Sequence, residues 1–287
     1  MLGYNSLNYF SYIFALMMKF GLIGHPLAGS GSPALFAAAY GGRWQYDLIE
    51  GDDFELSWQR FIDEYQAINI TAPFKEKAFA EILAHGVLGG GFPVGNGNDS
   101  CRAGNGADEV KAIGAINIAV KEADGLVHGY NSDYLGVLKI LRDSGFGPGQ
   151  TALVAGFGGA GKAAAAAAEA AGLDTLICNR TRYNPAIRPL EELPVLAGVA
   201  DVLIYTLAFP VPELDFLLKA GTGKTGGAKE PDQAADGHGF PAAILEANYR
   251  TPCLAGLPGY IPGTQWLRAQ AETGYPLMTG LPVQNSI

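Results

Sequence analysis

The sequence predicts an α/β protein of two domains, and three observations carry that reading. Short apolar strands alternate with stretches of helical spacing along most of the chain, and parallel strands need such crossovers because a tight hairpin cannot join them. The chain has 287 residues, more than the ~100 to 200 that one hydrophobic core usually serves. A fresh β-α-β pattern begins near residue 151, behind a run of turn residues.

In order, Lys19-Phe20-Gly21-Leu22-Ile23-Gly24 reads as a short buried strand, stopped by His25-Pro26, with Pro33 opening an Ala-rich helix. Residues 44–49 read as a strand, 54–65 as an amphipathic helix and 67–71 as an apolar strand halted by Pro73. Helical spacing resumes over 74–83. The tract 89–106, rich in glycine, asparagine and proline, has no periodicity and reads as a mobile loop. Strand character returns over 114–120 and pairs, through the turn at 122–125, with 126–129 as a hairpin. Ser132 is a natural N-cap for a helix running to about Asp143 and stopping near Gly145-Phe146-Gly147-Pro148. The domain boundary falls here. A second glycine-rich tract, 221–239, reads as an insertion in the second domain.

Composition limits the partners. Hydrophobic residues make up 48% and charged ones 16%, the balance of a compact soluble protein. A net charge of -9 repels a phosphate backbone, so nucleic acid is excluded as a partner. Cys101, Cys178 and Cys253 are odd in number and include no CxxC pair, which argues against a metal centre and for a reducing cytoplasm. Residues 1–17 are uncharged and aromatic, but they lack a basic start and a small-residue cleavage site. Polar residues also interrupt a run already short of the ~20 residues of a membrane span. They read as a disordered leader, and no other segment approaches a span.

The strand Ala152-Leu153-Val154-Ala155 runs directly into Gly156-Phe157-Gly158-Gly159-Ala160-Gly161 and then into an almost pure alanine helix. In a strand, GxGxxG, helix order, the first glycine allows a tight turn and the second lets backbone approach a pyrophosphate. The third lets helix pack on strand, and the helix N-terminus supplies N–H groups and a positive dipole. This predicts a Rossmann-like dinucleotide-binding domain. The next strand ends at Asn179-Arg180-Thr181-Arg182, where an NAD enzyme usually places an acid for the ribose 2′-OH. No acid stands there, and two guanidinium groups suit a 2′-phosphate, so NADP(H) is the expected cofactor.

In the first half, polar clusters follow apolar strands, where open α/β sheets bind ligands. They are Ser30-Gly31-Ser32-Pro33, then Asn69-Ile70-Thr71-Ala72-Pro73-Phe74-Lys75, then Asn117 with Asn131-Ser132-Asp133. Singly, each has an ordinary explanation as a cap or a solvated charge. Together they suit a polyhydroxylated ring: hydroxyls and amides for its oxygens, a cation and an acid for proton transfer.

These motifs, SxSP, NxTxPxK, GAxN, NxD, GxGGAxK and NRT, follow one another in the order and spacing of the shikimate dehydrogenases. Gly263-Thr264-Gln265-Trp266-Leu267-Arg268-Ala269-Gln270-Ala271 is similar to that family's GxxMLxxQA, with Trp for Met. The resemblance covers residues 18 to about 287. It implies NADP-dependent, reversible reduction of 3-dehydroshikimate to shikimate in a cleft between an N-terminal α/β substrate domain and the cofactor domain. Lys75 and Asp133 would be the catalytic pair, and Ser30, Ser32, Thr71, Asn117, Tyr249 and Gln270 would hold substrate. Gly156, Gly158, Gly159, Ala160, Gly161, Asn179, Arg180, Thr181, Arg182 and Gly263 would hold NADP(H). It further implies that the C-terminal helix returns to the substrate domain, giving 18–132 with 263–287 against 133–262, in a cytoplasmic monomer or homodimer. The chain departs from the family pattern at Gly29, often His, at Tyr205-Thr206-Leu207-Ala208, usually NxTS, and at Glu246-Ala247, commonly Asp-Met. A quinate or shikimate dehydrogenase using NAD, and an NADP-binding sensor without turnover, are the alternatives.

Overall fold

The computed structural model describes residues 18–89, 107–222 and 240–284. The expected leader, the first glycine tract beyond residue 89 with Cys101, and 223–239 of the second tract lie outside the described residues. The chain divides into two compact units, Met1–Ser132 with Gln270–Ile287, and Asp133–Ala269.

The first unit is built on β1 (Lys19–Gly24), β2 (Gln45–Glu50), β3 (Ala67–Ile70), β4 (Val87–Leu88), β5 (Ile118–Lys121) and β6 (Val127–Tyr130). They lie in the order β2-β1-β3-β5-β6-β4. β1 pairs in parallel with β2 and β3, whereas β5 runs antiparallel to both β3 and β6. The sheet is therefore mixed where strand and helix alternation predicts a largely parallel one. The cause is the hairpin: Glu122 donates to the Leu126 carbonyl at 3.0 Å, and Gly125 turns at φ 81. β5 also starts four residues later than its apolar run, because Gly114, at φ 69, donates to the Val110 carbonyl and ends the helix Ala107–Ile113. A glycine read as strand is a helix C-cap.

Alternation along the strands sorts the core onto two faces. Phe20, Ala67, Ile118 and Val120 pack with one cluster, and Ile23, Ile68, Ile70 and Ala119 with the other. α1 (Ser32–Tyr40) and the C-terminal helix Gly263–Thr279 pack with the first cluster through Phe36, Tyr40, Ala271, Tyr275 and Met278. α2 (Phe54–Glu64) and α3 (Lys75–His85) pack with the other through Phe54, Trp58, Phe61, Ala78 and Ile82. Asp53 caps α2 by accepting from Leu56 N at 3.0 Å. Phe36 meets Tyr275 edge-on, with centroids 5.0 Å apart and planes at 76°, a geometry worth about 0.5–1.5 kcal/mol beyond burial. The Tyr40 hydroxyl bonds Thr279 Oγ1 at 2.9 Å and donates to the Leu281 carbonyl at 3.0 Å. The C-terminal helix is thus stitched to α1.

In the second unit every strand pairing is parallel. β7 (Thr151–Ala155), β8 (Asp174–Asn179), β9 (Arg188–Pro189), β10 (Val202–Tyr205), β11 (Ala243–Glu246) and β12 (Tyr260–Ile261) lie in the order β12-β11-β10-β7-β8-β9. All four residues of β10 and of β11 are buried, as expected of strands covered on both faces. The two-residue strands β9 and β12 are too short to leave a pattern in the sequence. Among the described residues, no helix is long and apolar enough to cross a membrane, and no His, Cys, Asp and Glu cluster could hold a metal.

Candidate active site

The glycine turn after β7 is built from the backbone outward. Gly156 has φ 99, a conformation that side chains resist, and a Cβ there would press Thr206 Oγ1 at 2.6 Å. Gly158 is the N-cap of the helix Gly159–Ala170, and around Gly158 and Gly159 nothing lies within 4 Å of a built Cβ. At Gly161 a Cβ would overlap the Gly156 carbonyl, so only glycine lets this helix lie so close to its strand. No acid stands in the first helical turn. The turn offers an open backbone cradle and a helix N-terminus, which fits a dinucleotide pyrophosphate.

Beside it, Asn179 is buried and holds two loops: its Oδ1 accepts from Phe157 N at 3.3 Å and its Nδ2 donates to the Thr181 carbonyl at 2.9 Å. Arg180, Thr181 and Arg182 follow on the exposed surface. Arg182 Nε donates to the Ile187 carbonyl at 3.0 Å, and the Arg180 guanidinium lies 5.1 Å over the Phe209 ring. β8 ends on Asn179, with its one acid, Asp174, at the opposite end. That fits a 2′-phosphate and would leave a bare 2′-OH without its usual carboxylate.

The departures at the ends of β10 and β11 have structural partners. Thr206 Oγ1 donates to the Ala155 carbonyl at 2.9 Å, and the wholly buried Tyr205 donates to the Phe209 carbonyl at 2.7 Å. Glu246 is fully buried, and its carboxylate accepts from Cys253 N at 2.7 Å, Cys253 Sγ at 3.2 Å and Leu254 N at 3.1 Å. Burial, reinforced by that carboxylate, pushes the Cys253 thiol and the Tyr260 phenol each up to about 12. Gly263 is buried, and a Cβ on it would stand 2.7 Å from the Glu246 and Ala247 carbonyls. Tyr249 is 42% exposed, with Arg250 5.9 Å from its ring.

In the first unit the polar groups meet through intermediaries. Ser30 Oγ donates to Ser32 Oγ at 3.3 Å. Tyr46, on β2, donates to Asn69 Oδ1 at 2.7 Å beside Ser32, and enclosure of its hydroxyl raises its pKa well above the tyrosine value. Asn69 Nδ2 reaches the Asn117 carbonyl at 3.5 Å, and Asn117 Oδ1 accepts from Ser132 N at 2.6 Å. Ser32 and Ser132 are both the first residues of helices, so neither is the cap outside it. Thr71 is half-buried after β3, its methyl against Gly24. Lys75 opens α3, and its carbonyl accepts from Ile116 N at 3.2 Å, next to Asn117. Gln270 is half-buried on the C-terminal helix. One turn on, Gly274 lets that helix approach Ser132, whose Cβ would lie 3.1 Å from an added Cβ. Asp133 is buried, follows Ser132 directly and belongs to the second unit.

Ser30 and Ser32 thus form one pair, and Tyr46, Asn69, Asn117 and Ser132 form a run that starts beside it. Thr71, Lys75 and Gln270 stand on elements packed with it, and Tyr249 lies in the other unit. Tyr46, Asn69 and Phe209 are the members that sequence reasoning passes over. Asn69 sits inside the quoted NxTxPxK motif and is the one with a visible signal.

No protein-family model matches the chain. It is 30% identical to the shikimate dehydrogenase (NADP(+)) of Rubrobacter xylanophilus, over 83% of this chain and 84% of that one. It is 29% identical to the enzyme of the same name from Thermus thermophilus, over 93% and 88%. Among solved structures, shikimate 5-dehydrogenase from Thermus thermophilus in complex with NADP(H) and shikimate superposes with a TM-score of 0.65 at 27% identity, covering 93% of this chain and 95% of that one.

Proposed function

Since this chain belongs to the shikimate dehydrogenase family, we propose that Lys75 and Asp133 are its proton-transfer groups and that Ser30, Ser32, Thr71, Asn117, Tyr249 and Gln270 hold the substrate. The protein is an NADP-dependent oxidoreductase interconverting 3-dehydroshikimate and shikimate. The bound nicotinamide supplies the hydride. What remains for the protein is the substrate oxygen, on which negative charge develops as the carbonyl is reduced and for which a donor must wait. An ammonium and a carboxylate together stabilise that charge and pass one proton.

The observation that supports this reading best is the hydrogen-bonded run from Tyr46 through Asn69 and Asn117 to Ser132, the residue before Asp133, with the Ser30–Ser32 pair beside Tyr46. It fixes hydroxyls and amides after β1, on β2 and β3 and just before β5, suited to a ring with several oxygens. Gly156, Gly158, Gly159, Ala160 and Gly161 would take the pyrophosphate, Asn179, Arg180, Thr181 and Arg182 the adenosine 2′-phosphate, and Gly263 the close approach at the nicotinamide end. We place the enzyme in the cytoplasm, as a monomer or homodimer. Loss of NADPH absorbance with 3-dehydroshikimate against an NADH control, and gain of NADPH absorbance from NADP+ with shikimate against quinate, test the reading. Turnover with NADPH at least about tenfold above NADH is expected, the weight of a charge-assisted phosphate contact. Binding of NADPH with no turnover would mark a sensor instead.

A further inference from the structure

We infer that Phe209 is a cofactor-selectivity residue whose ring seats the Arg180 guanidinium for the 2′-phosphate of NADP. The inference rests on the proposed role of Arg180 and goes one residue beyond it. Phe209 is 46% exposed, so core packing does not account for a phenylalanine there. Its ring lies 5.1 Å from the Arg180 guanidinium carbon, which belongs to the first residue after β8. The backbone that carries the ring is fastened at two successive carbonyls. Asn248 Nδ2 donates to Ala208 O at 3.1 Å, and Tyr205 donates to Phe209 O at 2.7 Å. Tyr205 is wholly buried at the end of β10, so its hydroxyl is an anchor that does not move with the surface.

An exposed arginine that must order itself around a phosphate loses side-chain freedom on binding. One already lying against a fixed ring loses less, so affinity rises without a new contact to the ligand. Stacking uses the face of the guanidinium and keeps its N–H edge for phosphate oxygens. The unusual Tyr205 thereby acquires a purpose: it holds the carbonyl behind the ring that holds the arginine.

The test compares the full-length chain with Phe209→Ala, Phe209→Tyr and Arg180→Ala. Calorimetry measures binding of adenosine 2′,5′-bisphosphate and of 5′-AMP, and fluorescence measures NADPH and NADH. Phe209→Ala is expected to weaken the bisphosphate and NADPH about two- to fivefold, the weight of one exposed cation–π contact. AMP and NADH should change less, and Phe209→Tyr should restore the affinity. Equal weakening of AMP and the bisphosphate would make the ring an adenine platform and overturn the inference, as would no change in either. If Arg180→Ala removes the preference for the bisphosphate while Phe209→Ala does not, the ring's role alone fails. If Arg180→Ala leaves the preference intact, the cofactor reading of Arg180 fails first and takes the inference with it.

Discussion

In the second unit, six consecutive residues, 156–161, make the turn, start the helix and permit its close packing. In the first unit, the polar groups that do comparable work come from Ser30, Ser32, Tyr46, Asn69, Asn117 and Ser132, spread over about a hundred positions. The first kind of site depends on backbone shape, and its weak points are places where an added atom has nowhere to go. The second depends on partners arriving from several elements, and its weak points are single hydrogen bonds. The same substitution size should therefore have different consequences in the two regions.

The largest effect belongs to neither scaffold but to the groups they present. Lys75→Ala or Asp133→Asn is expected to lower kcat by ~10² to 10⁴-fold with a smaller change in KM, as a lost acid-base group does. A steady-state assay showing near-normal kcat and a raised KM would make that residue a binding group. Next, changing Arg180 and Arg182 together to Ala should weaken NADPH at least tenfold, from the ~1.5–3 kcal/mol of one charged hydrogen bond, and NADH far less. Equal losses for both cofactors would remove the 2′-phosphate from the argument.

Two smaller effects sharpen the comparison itself. Gly161→Ala puts a methyl onto the Gly156 carbonyl, so thermal unfolding should show a loss of about 1–3 kcal/mol, the usual cost of overpacking. Unchanged stability would show that this helix can retreat from its strand. Tyr46→Phe removes the hydroxyl that donates to Asn69 and should raise the KM for shikimate about three- to tenfold, in line with ~0.5–1.5 kcal/mol for a neutral hydrogen bond. The affinity for NADPH, measured alongside, should hold. A loss of both together would mean that Tyr46 supports the fold and not the substrate groups.

This contrast also explains what could be read from the sequence. The glycine turn is legible because every requirement falls within one short segment, and the parallel second sheet is legible at its centre, where strand, glycine turn, helix and strand follow directly in the order β7 to β8. The first sheet misleads at Gly114: a glycine inside an apolar run looks like strand, yet it caps a helix whose start lies behind a glycine-rich tract with no pattern. Tyr46 and Phe209 were invisible for a different reason. Each acts on a residue 23 or 29 positions away, on Asn69 and Arg180 respectively, and a tyrosine in a strand or a phenylalanine in a loop carries no mark of the partner it will meet.

The first unit includes residues from both ends of the chain, and Tyr40 bonds Thr279 across 239 positions. On a ribosome, domains commonly finish in the order in which they emerge. Here the order is inverted: the second unit has all its strands once residue 261 is out, whereas the first still lacks Ala271, Tyr275 and Met278 of its core. Until those arrive, Phe20, Phe36 and Tyr40 have an incomplete cover, and apolar surface of that kind invites association with other chains. Synthesis leaves the first unit waiting for a helix made after the second unit's strands.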